Sequence, residues 1–446
     1  MTQLRTPEAT TGDPTPTLAG AAAATEVAAA PDSRATAGGA PGRPEPLTRG
    51  RHVQLIVVLG LLIALGPLSI DMYLPAFPDI ATDLSASTSA VQLTLTGMLA
   101  GLAVGQLVIG PLSDVFGRRR PLLAGLAVHL LASLLCAIAP TVAVLSVVRV
   151  LQGFAGAAIS VVALATVRDL FTGSAVARTM SRLMLVIGLA PILAPTLGGF
   201  VLAVTDWRGI FVVLAGAALL LSAVAFFGLR ETLPPERRSA PGVRSTLRTY
   251  RSLFRDRTFV ALVLIGGLMF ASIFAYVGSA SFVLQDGYGL DERSFGLVFG
   301  LNSLALTVLS QLNPTLIGRF GTANVLTFAI FMSLAAALGV VVTGASGAGG
   351  LVGVLVPLGL VLGAAGLAMP NTPALALTRH GESAGTASAL LGSVQFGIGA
   401  MVAPLVGLFG GTSAVPMGAT MAGVTGLAAL LMVLVVRRDP SVHHLD

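Results

Sequence analysis

The sequence predicts an all-α polytopic membrane protein with twelve transmembrane helices in two six-helix halves. Three observations carry that prediction. The chain is 54% hydrophobic and only 10% charged, whereas a soluble domain carries about 25% charged residues. Apolar runs long enough to cross a bilayer recur with short breaks, and only one long hydrophilic stretch, 230–257, interrupts them. The arginines fall in alternate loops. The 53 glycines fit the same class, because small residues let membrane helices approach closely.

Residues 1–52 are rich in Ala, Pro, Thr and Gly with no apolar period and read as a disordered cytoplasmic tail. The six spans of an N-terminal bundle, 53–229, follow at about 53–77, 88–112, 121–140, 142–166, 179–204 and 209–229. A cytoplasmic linker, 230–257, holds RETLPPERR and scattered arginines, with a short surface helix near Leu247–Leu253. The C-terminal bundle, 258–436, has spans at about 258–284, 293–317, 323–343, 351–377, 384–409 and 415–436, and residues 437–446 form a second tail.

All basic residues are arginine. Without a lysine there is no Gly-Lys-Ser/Thr phosphate loop, so any pumping must draw on an ion gradient or a partner ATPase. With both termini inside the cell, eighteen arginines after the tail lie in cytoplasmic segments (Arg118–Arg120, Arg168, Arg178, Arg182, the eight of the linker, Arg319, Arg379, Arg437 and Arg438) against two outside, Arg208 and Arg293. The net charge of +6 therefore orients helices and says little about nucleic acid, which is not an expected partner. The five histidines show no metal-ligand spacing, and neither metal nor cofactor is expected. His129 reads as a polar residue on a helix interface, and the single cysteine, Cys136, as a packing residue.

Two embedded charges stand out. Asp71, in SIDMYLP, sits in a segment otherwise suited to lipid, where a carboxylate is expensive. Arg149, in RVLQGFAGAA, is the one basic residue inside a span; it reads either as a snorkelling side chain or as a functional cation. Both fall about seven residues from the outer ends of their expected spans, roughly 10 Å deep at 1.5 Å per residue, so pairing is permitted. Burial would raise the proton affinity of Asp71, and Arg149 close by would lower it. The second half has no embedded acid or base, only polar residues such as Tyr276, Ser279, Asn302, Asn313, Asn371 and Gln395. Tyr73, Met98, Gln152, Tyr276 and Asn302 are the candidate walls of an apolar substrate cavity. A membrane enzyme would need clustered His, Asp or Glu at a membrane face, and the sequence offers none, so no enzyme activity is expected.

Three motifs add to this. GPLSDVFGRRRP (Gly110–Pro121) is consistent with a tight cytoplasmic turn in which Gly110 and Gly117 allow the bend, Asp114 can cap or pair with nearby arginines, and Arg118 and Arg119 either carry topogenic charge alone or do more. Its spacing resembles the signature G-x-L-a-D-r-x-G-r-r of the major facilitator superfamily, departing at Val115. Arg149, Gln152 and Gly153 resemble the drug-antiporter motif R-x-x-Q-G. In GLAPILAPTLGGF, Pro191 and Pro195 interrupt helical hydrogen bonds and Gly198 and Gly199 permit close packing, so the helix is expected to kink. That run resembles the antiporter signature G-P-x-x-G-G, with Ala194 in place of its first glycine. Together with SIDMYLPA, VRDLF, RETLPPERR, AGTASAL and FGIGA, these motifs make the chain, from about 53 to 436, similar to the Bcr/CflA group of bicyclomycin and chloramphenicol resistance transporters.

The resemblance implies the major facilitator fold, two pseudo-symmetric bundles around a midplane site, and a proton-coupled multidrug exporter of the bacterial inner membrane working by alternating access. It implies Asp71 at the first-helix acidic position linked to protons and drug, and Asp114 in a relay holding the cytoplasmic gate. The expected partners are protons, lipid and a small hydrophobic or cationic drug-like substrate, with the chain acting as a monomer. Export of an endogenous metabolite or a self-made antibiotic is the alternative within transport; a membrane enzyme or receptor is the alternative outside it.

Overall fold

The structure is a computed structural model that describes residues 49–171, 173–238, 243–378, 380, 384–409 and 412–439. The expected N-terminal tail and the end of the C-terminal tail lie outside the described residues, apart from a few at their inner ends. Twelve segments are long and apolar enough to cross a membrane, and no strand occurs among the described residues. The helices are α1 (Arg49–Asp71), α2 (Phe77–Asp83), α3 (Thr88–Phe116), α4 (Arg119–Ala137), α5 (Val142–Leu170), α6 (Ser174–Leu202) and α7 (Trp207–Gly228). A linker helix, α8 (Val243–Leu253), precedes α9 (Arg257–Ser281), α10 (Glu292–Phe320), α11 (Thr322–Ser346), α12 (Gly350–Thr378), α13 (Ala384–Val402), α14 (Leu405–Leu408) and α15 (Ala414–Leu434).

Local chemistry sets many of the helix starts. Ser87, Thr141, Asp206, Asp256, Asp291 and Ser413 each accept a backbone N–H of the first turn of α3, α5, α7, α9, α10 and α15, the arrangement that satisfies donors with no intrahelical partner. Large apolar side chains such as Phe227 and Leu301, which are 85% and 70% exposed, face outward where lipid needs no polar cover.

The helices pack as two groups of six. In the first, α5 lies along α3 and α4, α4 against α7, and α1 against α6. In the last six, α11 packs on α12 and α15, and α9 on α13, α15 and α12. The seams between the groups are α3 with α13 and α6 with α10. The approach of α3 to α5 requires glycine on both sides: a Cβ on Gly101 would collide with the Val150 carbonyl, and one on Gly153 with the Met98 carbonyl.

Two differences from the sequence expectation matter. The first span runs on to Asp83 and is broken, so Asp71 lies deeper than the sequence suggests and ends α1 instead of sitting inside it. The second helix continues through Pro111 to Phe116, so Gly110 is helical and the turn shrinks to Gly117 and Arg118. Only Gly117 needs glycine there, with φ of 85°.

On the face carrying Asp83 and Asp291 the two groups are stitched together. Gln285 Nε2 donates to the Pro75 carbonyl (2.9 Å), Ser281 Oγ to the Leu74 carbonyl, and Gln92 Nε2 to the Gly278 carbonyl (2.9 Å). On the arginine-rich face the groups part around a cavity of about 580 Å³, walled by Gln106, Asp114, Arg118, Arg168 and Asp169 on one side and by Tyr250, Thr386 and Ser388 on the other.

Candidate functional site

The site begins with the break in the first span. Continuing α1 through Pro75 would drive the proline ring into the carbonyl of Asp71, four residues earlier, and proline has no N–H to offer it. The helix therefore ends at Asp71, passes through Met72 and Tyr73 into a 3₁₀ turn, Leu74–Ala76, and resumes as α2. Its last carbonyls need other partners. Met72 N–H takes the Leu68 carbonyl (3.1 Å), while the Ser69 carbonyl accepts Arg149 Nη1 (2.9 Å). Arg149 thus caps α1 from α5. Behind the break lies the antiporter run of α6: a Cβ on Gly198 would collide with the Met72 carbonyl. Gly199 meets the Glu292 carbonyl, and Pro191 and Pro195 are accommodated within one continuous helix.

Asp71 is 6% exposed and makes no hydrogen bond or ion pair among the described residues. It lies close enough to Tyr276 of α9, in the other group, for the two to interact electrostatically, and Asn302 of α10 is near the same hydroxyl. Tyr276 stacks on Phe299 at 4.9 Å. Its hydroxyl and Asn302 Nδ2 are buried without a well-formed hydrogen bond. A carboxylate without a donor is therefore within electrostatic range of a tyrosine hydroxyl without an acceptor. Because it ends a helix, the site also collects the negative end of the α1 dipole, which favours a cation.

Arg149 is fully buried, and its surroundings differ from the sequence expectation. It makes no ion pair with Asp71. Its Nη1 donates to Gln152 Oε1 (2.6 Å) as well as to Ser69, and its guanidinium lies 4.1 Å from the Tyr73 ring centroid and 5.7 Å from that of Phe211. Gln152 Nε2 reaches Ser133 Oγ (2.8 Å), and His129 lies between Ser133 and Ser69. Snorkelling is ruled out, since the side chain is held inside the first group. Of the five expected cavity residues, Tyr73 and Gln152 surround Arg149, Met98 packs into the α3–α5 seam, and Tyr276, with Asn302 beside it, is within electrostatic range of Asp71. None of the five is in the wall of the 580 Å³ cavity.

The turn motif forms a second cluster at the mouth of that cavity. Arg118 bridges Asp114 (2.6 Å) and Asp169 (2.8 Å). Burial pulls the Arg118 pKa down, but the two carboxylates outweigh it and hold it above the ordinary value. Glu231, from RETLPPERR, accepts the backbone N–H of Arg118 (2.8 Å) and Arg119 (3.2 Å), capping α4 from the linker. A side chain on Gly117 would strike its carboxylate. Burial pushes the Glu231 pKa up, and four backbone N–H bonds more than reverse this, leaving it below the ordinary value. Arg119 donates to the Phe226 carbonyl (2.7 Å), while Gly110 contributes its carbonyl to Ser113.

Sequence reasoning did not assign Ser69, Ser133, Asp169 or Glu231 to a site. The proline four residues after Asp71 was the available sign of the break; the partners of Arg149 had none, being brought together only by packing.

A family model described as Major Facilitator Superfamily matches residues 59–404. The chain is 41% identical over 380 residues to the uncharacterized MFS-type transporter YdgK of Bacillus subtilis, covering 84% of this chain and 93% of that protein. It is 32% identical over 384 residues to the bicyclomycin resistance protein homolog of Haemophilus influenzae, covering 86% and 96%. A crystal structure of a D-xylose-proton symporter superposes with a TM-score of 0.67 at 16% identity, covering 86% of this chain and 97% of the other.

Proposed function

The chain belongs to the Major Facilitator Superfamily and is a multi-pass membrane transporter, not an enzyme; from that premise we propose that it exports small hydrophobic or cationic drug-like compounds in exchange for protons. The observation that carries the reading is Asp71: one carboxylate, at a helix break, without a protein partner, facing the other group of helices. Broken membrane helices place ion and substrate sites at such points, where backbone carbonyls are freed. The drug-resistance name of the Haemophilus relative supports the substrate class.

Proton and cation compete for the same carboxylate. When Asp71 is protonated its charge is gone and a cationic drug binds less well; when it is ionised the drug replaces the proton. Each proton moving inward supplies about 2.3 kcal/mol per 100 mV of potential and about 1.4 kcal/mol per pH unit. The arginine-rich face, with both termini, is the cytoplasmic one in the bacterial inner membrane. The open cavity on that face and the stitched opposite face then correspond to the inward-open state. In the return state the cluster of Arg118, Asp114 and Asp169 closes the cytoplasmic side, and the outer bonds from Gln285, Ser281 and Gln92 release. Tyr276 and Asn302 supply donors for a polar group of the substrate, and the chain works as a monomer.

The test is drug-induced proton release from the purified protein, with ethidium as the lipophilic cation. Wild type releases protons on binding ethidium and the Asp71→Asn variant does not. Ethidium binding without release in wild type overturns proton exchange at Asp71.

A further inference from the structure

His129 has no role in this exchange, yet it is fully buried beside the break that makes the exchange possible. Its Nε2 lies 3.0 Å from Ser69 Oγ and its Nδ1 3.4 Å from Ser133 Oγ. With both serine protons directed to helix carbonyls, donor counting assigns the direction of these contacts. A serine hydroxyl has one proton, and that of Ser69 is directed to the Leu65 carbonyl (2.7 Å), so Ser69 Oγ accepts from His129 Nε2–H. The Ser133 proton is directed to the His129 carbonyl (2.8 Å), and Ser133 Oγ accepts from Gln152 Nε2. The Gln152 amide oxygen is thereby turned to Arg149, which closes the circuit on the Ser69 carbonyl. One residue of α1 is therefore held twice, at its hydroxyl by His129 and at its carbonyl by Arg149. That residue lies two positions before Asp71.

We propose that His129 is a positioning residue: by donating from Nε2 to Ser69 it fixes the last turn of α1, so that Arg149 caps the break and Asp71 faces Tyr276. The proposal rests on reading Asp71 as the coupling carboxylate. His129 carries no proton in this scheme; what it supplies is a donor at a fixed depth.

The experiment compares His129→Leu, His129→Gln and His129→Asn in proteoliposomes exporting ethidium against an imposed proton gradient, with thermal unfolding as the control. Glutamine carries its N–H group at about the depth of imidazole Nε2, whereas asparagine carries it at the depth of Nδ1. The leucine and asparagine variants are expected to lose at least tenfold in maximal rate with the half-saturating ethidium concentration changed less than threefold. The glutamine variant is expected to stay within threefold of wild type. A normal rate in the leucine variant overturns the proposal, as does a glutamine variant no better than leucine, which would mean that the imidazole itself is needed. The unfolding midpoints of Ser69→Ala, His129→Leu and their double variant give a measure that needs no transport. Non-additive shifts are expected, and additive shifts overturn the contact. If wild-type protein exports no ethidium against protons, that failure belongs to the Asp71 reading, and the cycle still decides the positioning role.

Discussion

In the first six helices the polar interior is a circuit of a guanidinium, an imidazole, an amide and two serines, whose charged member has no carboxylate partner. In the last six the buried side-chain pair is a neutral one, where Asn313 and Asn371 each donate to the other's carbonyl oxygen at 3.2 and 2.8 Å, and the charged contacts, His380 with Asp256 and Arg437 with Thr327 and Asn324, lie towards the helix ends. The frames that hold these contacts are alike. Helices α3 and α10 each span 29 residues, each contains a proline near its end, and each stops at a glycine of positive φ, 85° and 79°. At that turn the first group carries Asp114, Arg118 and Asp169, and the second carries Arg319 over the Phe320 ring. Duplicated frames with unequal chemistry indicate a division of labour: the first group handles charge, and the second offers a neutral surface against which the charge is read. Buried charge without a counter-ion is costly, and its retention in one group only is the mark of a site and not of a packing need.

The largest effect should come from the charge itself. Asp71→Asn keeps shape and hydrogen-bonding capacity, so folding is retained while export driven by a proton gradient falls about 100-fold, the scale of losing some 2.7 kcal/mol of coupling. Ethidium export from energised vesicles measures it. A similar loss from changing Asn313 or Asn371 would erase the contrast between the groups.

Arg149→Met comes next and sharpens the contrast by separating stability from function. Removing the arginine relieves an unpaired buried charge but leaves the Ser69 carbonyl and Gln152 Oε1 without a donor, at about 1–3 kcal/mol each. The opposing terms leave stability within about 2 kcal/mol of wild type, whereas export drops at least tenfold because α1 loses its cap. Arg149→Lys does not restore it, since the shorter stem does not carry the ammonium to the position of Nη1 and an ammonium has no plane to stack on Tyr73. Thermal unfolding beside export rate checks both halves of the statement.

The twelve spans were legible because bilayer-crossing helices are long apolar runs and their caps are local; Asp206, Asp256 and Asp291 stand just before their helices in the sequence. The turn at Gly117 and Arg118 was legible for a similar reason, its motif being contiguous. What escaped was whatever depends on residues far apart meeting. Ser69 and Arg149 are separated by 80 positions and Arg118 and Glu231 by 113, and no local pattern records such contacts. Met98 and Gln152 looked like cavity walls, whereas Met98 packs against Gly153 and Gly156 of α5 and Gln152 is held by Arg149 and Ser133.

The linker contact of Glu231 gives a smaller effect with a defined pH sign. Its folded pKa lies below the ordinary 4.5, so its contribution is fully present above that value and is lost as pH falls through the lower folded value. Glu231→Gln should cost about 0.5–2 kcal/mol at pH 7, the range for a lost helix cap. It should also flatten the acid-induced fall of the unfolding midpoint as pH drops below 4.5. An unchanged acid profile would remove Glu231 from the gate.

The smallest effect on export belongs to the neutral pair. Asn313→Leu alone leaves the Asn371 amide buried without its partner and should cost about 1–3 kcal/mol, as should Asn371→Leu. The double variant removes both halves of a reciprocal bond in favour of apolar contact, and should cost less than either single change, about 1 kcal/mol or below. Export should stay within twofold of wild type in the double variant, because no charge and no helix break depends on the pair. A double variant that unfolds at the wild-type midpoint yet fails to export would show that the second group reads its substrate through this amide contact, and the division of labour would then run through both halves of the molecule.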